Sequence, residues 1–135
     1  MKPTLACFLT ILCISCSETA AATELVRLTP ATWDEYAPAG KEVDCIYGDY
    51  VLRNDQIIVV IAEPLPTRSA NMTVRNNGAM IIDLTRRDHP NDQLSVYHPN
   101  GMPLSFHSPD AIKSEGDGTN VAVSASLQVK GERIT

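Results

Sequence analysis

Gly48-Asp49-Tyr50-Val51-Leu52-Arg53-Asn54-Asp55-Gln56-Ile57-Ile58-Val59-Val60-Ile61-Ala62 is the stretch that decides the fold class. Two runs rich in β-branched and aromatic residues flank Asn54-Asp55, a pair that tolerates positive φ at both positions. The segment therefore reads as a β-hairpin with a type I′ turn. Ile57 to Ile61 is continuously apolar rather than alternating, the pattern of a central strand buried on both faces. Pro64 and Pro66 end it, because proline cannot donate to a ladder.

Further along, Met72–Arg75 and Ala79–Leu84 flank Asn76-Asn77-Gly78, residues that accept left-handed backbone, and predict a second hairpin. Leu94–Tyr97 and Pro103–Phe106 around His98-Pro99-Asn100-Gly101 predict a third. Val121, Val123, Ala125, Leu127 and Val129 alternate with Ala122, Ser124, Ser126 and Gln128, which predicts one strand over 121–129 with one buried and one wet face. Only Glu132–Thr135 follows it, too short for a stable partner, so this strand is expected to leave an open edge. His89-Pro90-Asn91 and His98-Pro99-Asn100 repeat a triplet, but the apolar positions after them fall out of phase, which gives two similar turns and no solenoid. Toward the N-terminus, Thr29-Pro30 supplies an N-cap and a proline at the first helical position. Trp33 and Tyr36 lie on one side of the short helix that results, and Pro38 stops it. The expected fold is all-β, an antiparallel sandwich-like sheet built of hairpins with one short helix at about residues 30–36.

The first residues read as an export signal. Lys2 forms a positive start, Leu5–Ser15 is uncharged and mostly apolar, and Ala20-Ala21-Ala22 offers an A-x-A cleavage site. The apolar run is too short for a membrane span of ~20 residues. Residues 1–22 are thus a signal peptide and 23–135 a single β-rich domain. Ile14-Ser15-Cys16 also matches the end of a lipobox, with Cys13 where that pattern wants leucine. Lipidation of Cys16 would anchor the protein to a membrane. On either route the expected location is outside the cytoplasm: periplasm, cell envelope or extracellular space.

Composition narrows the function classes. The chain has 135 residues and a formal net charge of −5. Its adjacent basic pair, Arg86-Arg87, is flanked by Asp83 and Asp88, so the basic footprint of a nucleic-acid binder is missing. Of the four cysteines, Cys7, Cys13 and Cys16 fall in the signal. Cys45 is left without an internal disulfide partner, in the apolar context of a small buried hydrophobe. Asp44 beside it disfavours a reactive thiolate. Collagen, a coiled coil and a disulfide mini-protein are excluded.

Chemistry-bearing motifs are sparse. No P-loop, G-x-G-x-x-G or G-x-S-x-G occurs, so no nucleotide cofactor and no serine nucleophile is expected. His89, His98 and His107 are candidate metal ligands, with Asp88, Asp92 and Asp110 nearby in sequence. No H-x-H or H-E-x-x-H spacing presets their geometry, and they occupy turn positions. Glu115-Gly116-Asp117-Gly118-Thr119-Asn120 offers oxygen ligands without EF-hand spacing and reads as a solvated turn. Asn71-Met72-Thr73 is a glycosylation sequon, relevant to a eukaryotic secretory route. Trp33 with Tyr36 reads as packing in preference to a ligand platform.

Gly48-Asp-Tyr-Val-Leu-Arg-Asn-Asp55 with Ile57–Ala62, Trp33–Pro38, Lys41–Cys45 and Asn71–Arg75 resembles the N-terminal region of large exported, β-rich proteins of the planctomycete type. The likeness spans roughly residues 25–105. Relatives with a similar hairpin can carry a downstream metallohydrolase domain. None of that domain's histidine motifs occurs here, so no activity is carried over. The resemblance implies the opening of a larger β-sandwich-like module. The functional expectation is a non-catalytic exported or cell-envelope module with a structural or binding role, meeting downstream domains or further copies of itself. The alternative is a fragment of a metal-dependent hydrolase using the turn histidines.

Overall fold

The computed structural model describes residues 22–98 and, as backbone strands, 113–116, 121–124, 127–129 and 132–134. Strands β1 (Glu24–Arg27), β2 (Tyr50–Arg53), β3 (Ile57–Ile61) and β4 (Ile81–Arg86) form an antiparallel sheet in the order β1-β2-β3-β4. A one-turn helix, α1 (Trp33–Tyr36), lies between β1 and β2 in the chain. Strands β5 (Lys113–Gly116) and β6 (Val121–Ser124) make one two-stranded sheet, and β7 (Leu127–Val129) and β8 (Glu132–Ile134) another. The mostly-strand, antiparallel character expected from the sequence is thus present, with little helix.

Alternation along the sheet separates two faces. Val51, Ile58, Val60 and Ile82 point into the core, where they meet Leu28, Cys45, Ala62 and Ala70. Trp33, Tyr36, Ala37, Val43 and Val74 pack over this cluster. The core therefore lies between the sheet and its own connecting segments. Burial of each large aliphatic side chain here contributes about 1.5–3 kcal/mol. β3 is buried on both faces from Ile58 to Ile61, as its continuous apolar run predicts. On the opposite face Leu25, Leu52, Val59 and Leu84 are register partners in one row across all four strands.

β1 is short but each charged end has a partner. Glu24 is opposite Arg53, and Arg53 Nε donates to Glu24 Oε2 at 2.9 Å. Arg27 is opposite Tyr50, with its guanidinium 5.9 Å from the ring centroid. Arg53 also fastens α1. Its Nη1 and Nη2 donate to the Glu35 carbonyl and Glu35 Oε1, both at 3.0 Å. The same guanidinium lies 3.7 Å from the Tyr36 ring centroid, a cation–π contact.

Five local expectations are corrected. The β2–β3 hairpin forms, but neither Asn54 nor Asp55 has positive φ, so the turn is not type I′. Asn54 Oδ1 instead accepts the Gln56 and Ile57 N–H groups at 2.8 and 3.0 Å. That Asx turn closes the loop with ordinary negative φ. Second, the helix starts at Trp33 with Thr32 as N-cap, after a turn in which Trp33 N donates to the Thr29 carbonyl. Third, residues 72–75 are not a strand. Asn71 Oδ1 accepts from Thr73 N, Thr73 Oγ1 and Val74 N, and these local bonds curl the chain away from a ladder. Asn76 does adopt left-handed backbone, at φ 58°.

The fourth correction concerns residues 94–97, which form no strand; Tyr97 makes a lone bridge to Ile81. The other half of that expected hairpin, 103–106, lies outside the described residues. Finally, 121–129 is not one strand. It is divided into β6 and β7, which pair with β5 and β8 respectively. The segment expected to be too short, Glu132–Ile134, is the partner of β7, and Glu115-Gly116, read as part of a turn, ends β5.

Candidate functional site

A register shift in β4 lies beside the most unusual chemistry of the fold. Val60 pairs with Asp83 but Ile61 pairs with Ile81, so Ile82 is an extra residue, a β-bulge. A bulge turns two consecutive side chains toward one side, and both Ile82 and Asp83 are fully buried. Asp83 faces the core because it lies opposite the inward-facing Val60, and the bulge sets Ile82 beside it.

Asp83 Oδ1 accepts the Asp44 N–H at 2.9 Å. Its neighbour is a second fully buried acid, Asp92. Asp92 Oδ1 accepts the N–H groups of Leu84 at 2.7 Å and Leu94 at 3.4 Å. The Asp92 carbonyl accepts from Lys41 N and Glu42 N at 3.1 and 3.2 Å. Among the described residues, Oδ2 of Asp83 and Oδ2 of Asp92 have no hydrogen-bond partner. Two buried carboxylates in contact cannot both stay ionised at low cost. Burial, reinforced by Asp92 and Asp44, pushes Asp83 up to about 7. Asp83 thus keeps its proton well above the usual carboxylate range. Burial also raises Asp44, against the pull of Asn71 and Arg68.

A few residues away, Asp49 and Arg68 form a buried ion pair. Arg68 Nε and Nη2 donate to Asp49 Oδ1 and Oδ2 at 2.9 and 2.6 Å. The same carboxylate accepts Ile46 N and Glu63 N, both at 2.8 Å. Arg68 Nη2 also donates to the Asp44 carbonyl at 2.8 Å. Such a pair is tolerable because both partners keep most of their hydrogen bonds. Two glycines permit the close approaches. A Cβ on Gly40 would stand 2.5 Å from Asp92 N, and Gly48, at φ 104°, faces the Glu63 carboxylate.

The residues singled out from sequence lie elsewhere or play other parts. His89 is exposed and His98 half-buried, and His98 Nδ1 has no hydrogen-bond partner among the described residues. His107 and Asp110 lie outside the described residues, as do Cys16 and the rest of 1–21. Among the described residues no three His, Cys, Asp or Glu side chains are arranged to hold a metal ion, and no helix is long and apolar enough to cross a membrane. Cys45 is buried and free. Desolvation, with Asp83 and Asp49 nearby, pushes its thiol up to about 12. Trp33 packs on the core but its ring partner is Tyr47, edge-on at a centroid distance of 4.9 Å. Asn71 is spent on its Asx turn. In 117–120, the remainder of the acidic glycine loop, the structure describes nothing.

The buried acids and Arg68 escaped motif reading because no fixed spacing joins them. One signal was visible: Asp83 interrupts the run Ile81-Ile82-Asp83-Leu84, and an acid inside an apolar strand demands a partner. Chemically the arrangement fastens loops to the sheet through buried carboxyl groups. No family model matches this chain, and comparison with curated proteins and with solved structures gives no match.

Proposed function

We propose that this chain is a non-catalytic β module of an exported or envelope protein, acting through structure or binding. The observation that carries the reading is how the buried charges are used. Asp49, Asp83 and Asp92 each accept hydrogen bonds from main-chain N–H groups, so the costly polar groups are committed to holding loops in place. The outer row Leu25, Leu52, Val59 and Leu84 supports a binding or layered role. Leu84 is 47 % exposed and Ile57 beside the row 40 %, and sheet faces of this kind are the ones a second layer covers in a sandwich. The covering partner would be downstream domains of a longer chain or a second copy. Export rests on the Lys2, Leu5–Ser15 and Ala20–Ala22 pattern, with Cys16 as the alternative, lipidated start.

The reading is tested by fractionating the native host and sequencing the N-terminus, then sedimenting the purified protein at micromolar concentration. A start at Thr23 or a lipidated Cys16, with self-association reduced by Leu84→Lys, is the expected result. A cytosolic protein that begins at Met1 and sediments as a monomer overturns it. Stoichiometric metal in the purified protein, lost on His89→Ala, His98→Ala or His107→Ala, would favour the hydrolase fragment.

A further inference from the structure

We infer that Asp83 and Asp92 form a proton-operated latch that clamps the 91–97 segment over the open edge of β4. β4 is an outer strand of its sheet, and such an edge offers unpaired N–H and C=O groups to any passing strand. Here that edge is covered by side chains and lone bonds in place of a fifth strand. Leu84 N donates to Asp92 Oδ1 at 2.7 Å, Asn91 N to Thr85 Oγ1 at 2.7 Å, and Tyr97 N to the Ile81 carbonyl at 2.7 Å. Asp92 is the centre of this cover, because its carbonyl also ties down Lys41 and Glu42. Gly40 and Asp92 pair directly, with no room for a Cβ between them.

The latch closes when one proton lies between the two acids. Asp83 then donates, Asp92 accepts, and the pair carries a single negative charge. Loss of that proton leaves two buried anions facing each other, with repulsion and no donor to relieve it. Among the described residues, the strap 40–45 contributes Asp44 and the Cys45 thiol, with Glu42 acting on Asp44. Arg68, from the 66–70 loop, acts on Asp44 and Cys45 but is bound to Asp49. Relief comes from moving Asp92 outward into water. That breaks the Leu84 and Leu94 bonds together and uncovers the β4 edge. The acid raised by burial, Asp83, brings this opening to completion by about pH 7.

Hydrogen exchange on the full chain tests the latch, with amides read individually by NMR and corrected for intrinsic rates. Between pH 5 and 7 the opening equilibrium at Leu84, Leu94 and Tyr97 should rise about tenfold for each unit and level off above pH 7, while Val51 and Val60 change little. Asp83→Asn supplies a permanent donor to Asp92 and should keep all three amides protected at both pH values. Carbon-detected titration of the wild-type carboxyl groups gives a second readout that needs no variant. Wild-type protection that does not change with pH, or an Asp83 carboxyl that titrates in the ordinary carboxylate range, overturns the proposal. Restoration of protection at pH 8 by millimolar calcium also overturns it, because the pair would then be a cation site.

Discussion

Arg68→Met removes the guanidinium of the buried pair and keeps an apolar stem of similar length. Asp49 would retain its bonds from Ile46 N and Glu63 N but lose both guanidinium donors. The Asp44 carbonyl would lose its donor as well. Both side chains are almost fully shielded, at 4 % and 0 % exposure, so water cannot replace what is lost. Breaking one partner of a buried pair costs about 3–5 kcal/mol. With a urea m-value of about 1–2 kcal/mol/M for a domain of this size, the midpoint should fall by roughly 1.5–5 M. The neutral companion Asp49→Asn keeps the acceptor and donor count nearer to balance. In the double variant with Arg68→Met, the cycle should show a coupling of about 1–3 kcal/mol. Urea unfolding followed by Trp33 fluorescence reads all four proteins. A loss below about 1 kcal/mol for Arg68→Met would refute the reasoning, since that is the range of exposed pairs.

Asp83→Asn should stabilise the protein at pH 8. An acid raised from 3.8 to about 7 binds a proton in the native state that the unfolded chain has released. Its contribution is full below about pH 4 and is lost as pH rises to 7, about 4 kcal/mol in all; unfolding of wild type and variant at pH 5 and 8 measures the difference. Cys45, buried and with its thiol pushed up to about 12, should resist iodoacetamide at pH 8 until the protein unfolds, which peptide mass mapping with and without urea will show. Gly40→Ala should cost about 1–3 kcal/mol, because the new Cβ meets the Asp92 main chain at 2.5 Å and packed backbone cannot yield cheaply; thermal unfolding checks it.

The sheet's centre was legible because β3 is apolar along its whole length and buried on both faces, so composition alone fixes its place. β1 was not, since Glu24-Leu25-Val26-Arg27 offers two apolar residues between charges. Those charges become favourable only when Arg53 and Tyr50 lie opposite. The 72–75 segment misled for a related reason: Val74 and Met72 look like strand residues, but Asn71 captures the main-chain donors first. The split of 121–129 shows that a uniform alternation carries no mark of where one strand ends and the next begins. For the candidate site, a buried acid in β4 could be read, whereas its partner Asp92 lies beyond a turn and joins β4 through its bond from Leu84 N.

The extra residue in β4 also reverses the inside–outside sense of the strand partway along. Upstream of it Ile81 is half-buried, Ile82 and Asp83 both face inward, and downstream Leu84 and Arg86 face out while Thr85 returns inside. Tolerance to substitution along this strand should therefore run out of step with simple alternation, strict at two adjacent positions and lax at the next. Deleting residue 82 would leave Ile81 opposite Ile61 and Asp83 opposite Val60 in one regular ladder, at the cost of the buried Ile82 side chain. The insertion thus places a second inward side chain beside the acid without deciding which way the acid itself faces.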